Sequence, residues 1–188
     1  MSVEKRKFTR IHYQVPLLYE DQDEVYIGKI NNISLHGIEL REFPHFPQDR
    51  IFRISFPLAI LTNLSEFDIK NLRKFVVEEA NGPQKVSVHL ELMRKQWDSS
   101  QNQSKGSVIG GQFYNESREF SSAIESFFDN YEANIRFIQR CLKESPECIQ
   151  FKWFEKLTFW LGLPSFGQSS ESCFLMQDFI DSNYLNTH

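Results

Sequence analysis

Val86-Ser87-Val88-His89-Leu90-Glu91-Leu92 is the stretch whose reading decides the fold. Val86, Val88, Leu90 and Leu92 alternate with Ser87, His89 and Glu91. A period of two puts the apolar set on one face of a half-buried strand. Toward the N-terminus the same pattern recurs in Tyr13, Val15, Leu17 and Tyr19, with His12, Gln14, Pro16 and Leu18 between them. Pro16 carries no amide donor, which confines that strand to an edge or a bulge. Glu20-Asp21-Gln22-Asp23-Glu24 reads as a solvated hairpin loop, and further strands are expected over 25–31, over 38–43 and through Phe52, Ile54 and Phe56. On the other side of the opening stretch, a polar loop at 98–106 leads to a sixth strand at 108–114. Six short, mostly one-sided strands in about 115 residues describe a small antiparallel barrel or sandwich.

After residue 115 the period changes. Phe120, Ile124, Phe127, Tyr131, Ile135, Ile138 and Leu142 fall at steps of three or four, which predicts a long amphipathic helix over 117–143. Asn115 or Ser117 can cap it, because a short polar side chain accepts from the free amides of the first turn. A helical insertion over 64–82 is expected between the fourth and fifth strands, with Ser65 as its cap, although Phe75-Val76-Val77 fits the start of a strand equally well. Beyond Pro146 comes a tail rich in rings: Phe151, Trp153, Phe154, Phe159 and Trp160. It predicts a helix over 147–161, stopped by Gly162-Leu163-Pro164, and a last short one over 172–184. The division is therefore a barrel with its long helix over 1–143 and an aromatic, helical extension over 144–188.

Composition removes several function classes. The chain has 188 residues, room for one domain and an appendage. Hydrophobic residues at 40% beside 24% charged is a globular balance rather than a disordered one. Its 18 phenylalanines mean that the packing leans on large rings. No apolar run reaches the roughly 18 residues of a membrane span. A formal net charge of -4 argues against a DNA partner, whose phosphates need a basic surface. The N-terminus lacks an apolar leader, and Cys141, Cys148 and Cys173 are too few for a disulfide framework, so the expected setting is cytoplasmic with reduced thiols. The histidines form no i, i+4 pair and the cysteines lack ligand spacing, so no metal is expected. Neither a phosphate-loop nor a nucleophile-elbow motif occurs, and no enzyme is expected.

Two segments carry chemistry. Arg6-Lys7-Phe8-Thr9-Arg10 is an Arg-x-x-x-Arg in front of the first strand, in a basic N-terminus that also holds Lys5. Asn32-Ile33-Ser34-Leu35-His36-Gly37 is an Asn-x-Ser-x-x-Gly across the turn between the second and third strands. A guanidinium presents a planar fork of donors that suits phosphate oxygens and the O6/N7 edge of guanine, and it can stack on a purine. Asn32 and Ser34, two apart on a strand, share a face while Ile33 and Leu35 turn to the core. Gly37 can take a positive φ and leaves room for a ligand beside the backbone. This set holds no nucleophile, general base or metal ligand: it is a binding site for an anionic purine.

In their order, spacing and strand context these segments resemble the PilZ domain. Gly37-Ile38-Glu39-Leu40 and Gly111-Gln112-Phe113 fit the same pattern, and the resemblance extends over about residues 4–143. It implies a mainly β fold, a six-stranded antiparallel PilZ-type barrel with a long C-terminal amphipathic helix, and a bacterial, cytoplasmic receptor whose ligand is cyclic di-GMP, with no cofactor. It further implies that Arg6 and Arg10 grip guanine and phosphate from an arm that folds over the ligand. Asn32, Ser34 and Gly37 would touch the ligand from the barrel, with Lys5, Lys7 and His36 as accessory residues. Ordering of the arm would couple second-messenger level to an unidentified protein partner, and the C-terminal region would serve packing or a homodimer. The sequence departs from the family in carrying Asn32 where Asp is common, in the insertion and in the aromatic tail. The rival readings are a ligand-free adaptor acting through protein contacts and a small-barrel single-stranded RNA binder; the overall acidity and the absence of a basic, aromatic strand face disfavour the latter.

Overall fold

The structure, a computed structural model, describes residues 10–59, 61, 63–65, 67–68, 83–96, 108–165, 167 and 169–185. Its strands are β1 (Ile11–His12), β2 (Pro16–Asp21), β3 (Glu24–Ser34), β4 (Gly37–Arg41), β5 (Ile51–Leu58), β6 (Gln84–Gln96) and β7 (Val108–Tyr114). They form one sheet in the order β1-β3-β2-β5-β6-β7-β4, and β3 also pairs with β4. That last pairing closes the sheet into a barrel.

β1 and β2 both pair with β3, through Ile11↔Ile33 and His12↔Asn32 in one case and Pro16↔Lys29 to Asp21↔Glu24 in the other. Between them Ile30 donates its amide to the Val15 carbonyl at 2.9 Å and Tyr13 donates to Asn31 at 3.3 Å. The two segments thus serve as one interrupted strand, and the barrel has six staves. The expected first strand is broken ahead of Pro16, which begins β2 at a position where its missing amide is tolerated.

The chain divides into two compact units, Met1–Pro57 with Lys85–Ser121, and Leu58–Gln84 with Ser122–His188. In the first, the alternating residues do what their period dictates. Tyr13, Val15, Leu17, Tyr19, Phe52, Ile54, Phe56, Val88 and Leu90 are all buried. Each such side chain contributes about 1.5–3 kcal/mol relative to an exposed one. Rings meet edge to face, Tyr19 with Phe43 and Phe52, and Phe120 with both Phe56 and Phe113. The acidic run at 20–24 is not the solvated loop expected. Its turn is only Gln22-Asp23, with Gln22 at φ 55°, while Asp21 is buried. The Asp21 carboxylate accepts from the Gln48 amide at 3.0 Å and lies 3.1 Å from His45 Nε2, so it fastens the 45–48 loop to the hairpin.

In the second unit the long helix α1 (Arg118–Glu144) buries Ile124, Phe127, Tyr131, Ile135, Ile138 and Leu142, the stripe that the sequence marks out. Ser117 is the cap: its Oγ accepts from the Phe120 amide at 3.1 Å. A 3₁₀ turn (Pro146–Gln150) follows, then α2 (Lys152–Trp160). The single helix expected over 147–161 is split because Phe151 is extended, with ψ 134°. Gly162, at φ 68°, ends α2 as its neighbours suggest: its amide donates to Phe159 at 2.9 Å and that of Leu163 to Thr158 at 2.9 Å, a Schellman stop. α3 (Ser170–Ile180) is capped by Ser169 and runs into a π turn at Asp181–Leu185. Phe154, Leu157, Leu161, Met176 and Ile180 are buried, and the Tyr131 hydroxyl donates to the Leu161 carbonyl at 3.0 Å. The insertion expected over 64–82 lies for the most part outside the described residues; Leu64, Ser65, Phe67 and Asp68 are not helical. Among the described residues no helix is long and apolar enough to cross a membrane.

Candidate ligand-binding site

β3 runs as far as Ser34 and β4 starts at Gly37, so Asn32 and Ser34 lie on the strand and Leu35-His36 alone make the turn. A β-bulge at Asn31 shifts the register between Ile30 and Asn32. Ile30 and Ile33, three apart, are for that reason both buried, while the alternation beyond the bulge turns Asn32 and Ser34 away from Ile33. Leu35, expected in the core, is only half-buried. The Ser34 hydroxyl donates to the Gly37 carbonyl at 3.1 Å and closes the hairpin.

Gly37 is needed for a different reason from the one its motif suggests. Among described glycines only Gly162 and Gly167 have positive φ. At Gly37 a Cβ would lie 2.5 Å from the Gly111 carbonyl oxygen, so a side chain is excluded by the approach of β7. The physical cause is strand packing, not left-handed backbone.

Pairing draws a row of side chains across the sheet. His12 of β1 stands opposite Asn32 of β3, Asn32 opposite Glu39 of β4, Glu39 opposite Gly110 of β7, and Gly110 opposite Arg94 of β6. Directly opposite residues share a face and touch. Across Gly110, Arg94 reaches Glu39 at 3.4 Å. Glu39, with only 12% of its side chain exposed, also pairs with Arg41 at 3.5 Å and accepts from Asn31 Nδ2 at 2.7 Å. Lys29 is opposite Arg41 and pairs with Glu42 at 3.7 Å. Among the described residues Asn32 Oδ1 is shielded from solvent and has no hydrogen-bond partner. A buried acceptor in that condition costs about 1–3 kcal/mol unless something donates to it. Burial, then the positive charges of Arg41 and Lys29, hold the His12 imidazole below its ordinary pKa, with Glu39 pulling the other way. The surface around Asn32 therefore favours an anion that brings donors with it.

Asn32, Ser34 and Gly37 are thus joined in one hairpin, and exposed Arg10 directly precedes β1, which is laid against Asn32. His36 is exposed in the turn. Arg6, Lys5 and Lys7 lie outside the described residues. Among the described residues no group of His, Cys, Asp or Glu could hold a metal ion.

The sequence model of the PilZ domain matches residues 4–127. The chain belongs to the PilZ family. PilZ domains are a family of cyclic di-GMP receptors and effectors, binding domains rather than enzymes. Several solved structures are similar to this chain. The inhibitor of motility MotI/DgrA of Bacillus subtilis is 11% identical with a TM-score of 0.45, over 68% of this chain and 51% of that one. The PilZ domain of YcgR from Escherichia coli, solved with cyclic di-GMP, is 13% identical with a TM-score of 0.41, over 68% and 92%. The PilZ domain of CeSA from a cellulose-synthesizing bacterium is 8% identical with a TM-score of 0.35, over 62% and 91%. This chain spans about half the length of the motility inhibitor. No curated protein matches its sequence.

Sequence reasoning missed the charged row. His12, Glu39 and Arg41 were readable as outward positions, since each alternates with a buried neighbour. That they meet in front of Asn32, with Arg94 arriving over Gly110, depends on strand pairing that local periodicity does not encode.

Proposed function

We propose that this PilZ domain is a cytoplasmic cyclic di-GMP-binding effector. Arg10 and Arg6 take guanine and phosphate from the N-terminal arm, and Asn32 and Ser34 contact the ligand from the hairpin. Lys5, Lys7 and His36 are accessory. The observation that carries this reading is the shielded Oδ1 of Asn32, without a partner among the described residues, opposite β1 and in a cationic surround. A guanine edge offers the N–H donors that this oxygen lacks, and the phosphates suit the guanidiniums. Ligand closing the arm changes a surface and so contact with a protein partner, which requires that it favour the closed arm by a real difference in free energy. The C-terminal region is the candidate for a homodimer contact.

A ligand-free adaptor is the second reading, and one observation favours it: Ser34 and Gly37 already have structural work, closing the hairpin and admitting β7. Calorimetric titration with cyclic di-GMP separates the two. Saturable binding is expected, weakened ten-fold or more, roughly, in Arg6→Ala and in Arg10→Ala, since a charge-assisted contact contributes about 1.5–3 kcal/mol. No heat and no saturation with the intact chain would leave the adaptor.

A further inference from the structure

We infer that His12 belongs to the ligand site as a proton-coupled residue, gaining a proton as the anionic ligand settles beside Arg10 and Asn32. The inference rests on the cyclic di-GMP reading above and adds a residue outside both motifs. Three placements carry it. His12 stands directly opposite Asn32 in the β1–β3 register, so whatever reaches Asn32 Oδ1 arrives beside the imidazole. Arg10 is two residues earlier, about 7 Å along an extended chain, so a phosphate gripped by Arg10 lies within Coulomb range of the ring. And His12 is half-buried, where charge is screened less than at the surface.

The charged groups around the ring explain why ligand should change its protonation. Lys29 from β3 and Arg41 from β4 oppose a proton on His12, while Glu39 from β4 favours one. Glu39 is itself committed to Arg41 and Arg94. Without ligand the balance, together with burial, keeps the imidazole neutral at physiological pH. A bound phosphate adds negative charge on the side where Arg10 and Asn32 stand and offsets the two cations. The protonated ring then carries a positive charge beside an anion. By linkage, whatever raises the histidine's pKa on binding makes binding tighter as pH falls, by about ten-fold for each unit of rise.

The test is a calorimetric titration of the intact chain with cyclic di-GMP at pH 5.5, 6.5 and 7.5 and constant ionic strength, repeated at pH 6.5 in two buffers of different ionisation enthalpy. Affinity several-fold higher at pH 5.5 than at 7.5, with net proton uptake, is expected of the wild type. His12→Gln is expected to bind no tighter at pH 5.5 than at 7.5 and to take up correspondingly fewer protons. A flat wild-type profile with no proton uptake overturns the inference, and so does a His12→Gln variant with the wild-type slope. Should the variant melt below the assay temperature, an NMR titration of the wild-type imidazoles decides instead: no histidine whose pKa rises on adding ligand overturns it. Absence of binding at every pH overturns the cyclic di-GMP reading itself, a distinct result.

Discussion

Replacing Gly37 by alanine tests whether this motif glycine is kept for the barrel. The added Cβ would sit 2.5 Å from the Gly111 carbonyl oxygen and 3.4 Å from the Gln112 Cα. Both neighbours are backbone of β7, in register with Gly37 through Gln112 and with Ile38 through Gly111, so neither can rotate away as a side chain would. Relief requires β4 and β7 to part locally, at the seam where Ser34 also closes the hairpin. Overpacking of this kind costs about 1–3 kcal/mol. For a chain of this size each kcal/mol moves the melting temperature by about 2–4 °C, which gives a fall of about 2–12 °C. Gly110→Ala is the internal control: it lies on the same strand pair, but its Cβ would meet nothing nearer than Arg94 Cβ at 3.6 Å, an ordinary contact. With the unfolded chain stiffened by alanine, that variant should melt at or slightly above the wild type. Differential scanning calorimetry without ligand reads both. Equal melting of Gly37→Ala and wild type, or equal loss in the two variants, would refute the steric argument.

Other perturbations separate the site from its scaffold. Asn32→Ala should leave the ligand-free protein as stable as the wild type or slightly more so, because it removes a shielded acceptor with no partner, while cyclic di-GMP binding weakens; a large loss of melting temperature would mean that Asn32 is structural. Asp21→Ala should lower stability by about 1–3 kcal/mol in urea denaturation, since the Gln48 amide and His45 lose their acceptor, and an unchanged midpoint would show the 45–48 loop to be held by other contacts. Truncation after Ser145 should cause association visible in light scattering, because it uncovers Tyr131, which meets Leu161 and Tyr184 of the tail; cyclic di-GMP affinity should stay within about three-fold, under about 1 kcal/mol. A truncated protein that stays monodisperse with an unchanged melting temperature would contradict the packing described for the tail.

Much of the barrel was legible because a period of two is a local signal. The alternation at 13–19, 52–56 and 86–90 names the buried face, and the change of period at Phe120 names α1 and its stripe. What escaped depends on residues far apart in the chain. Asp21 looks like part of a solvated acidic loop until His45 and Gln48 are brought to it. The bulge at Asn31 is invisible in composition, yet with it both Asn31, bonded to Glu39, and Asn32, opposite Glu39, belong to the row. Gly37 was flagged by its motif, but the Gly111 carbonyl that explains it belongs to a strand more than seventy positions away. The tail showed the intermediate case: Gly162-Leu163-Pro164 signalled the stop of α2, whereas the extended Phe151 that splits the expected helix carries no signal of its own.

The brevity of β1 sets how the arm can work. Among the described residues β1 is just Ile11 and His12, and directly behind them Tyr13 is fully buried, its hydroxyl donating to the Pro57 carbonyl at 2.9 Å. Tyr13 is therefore a mooring post, three positions behind Arg10. Arg6 is four positions before Arg10, so their Cα atoms can be at most about 14 Å apart. Were the arginines to grip the ligand as proposed, so short a line would correspond to a local concentration of about a millimolar or more. Lengthening the line between Arg10 and Ile11 with glycine and serine would dilute the arginines without altering a single contact, and affinity should fall with each added residue. Grip on the ligand would then depend as much on where the rope is tied as on the hands at its end.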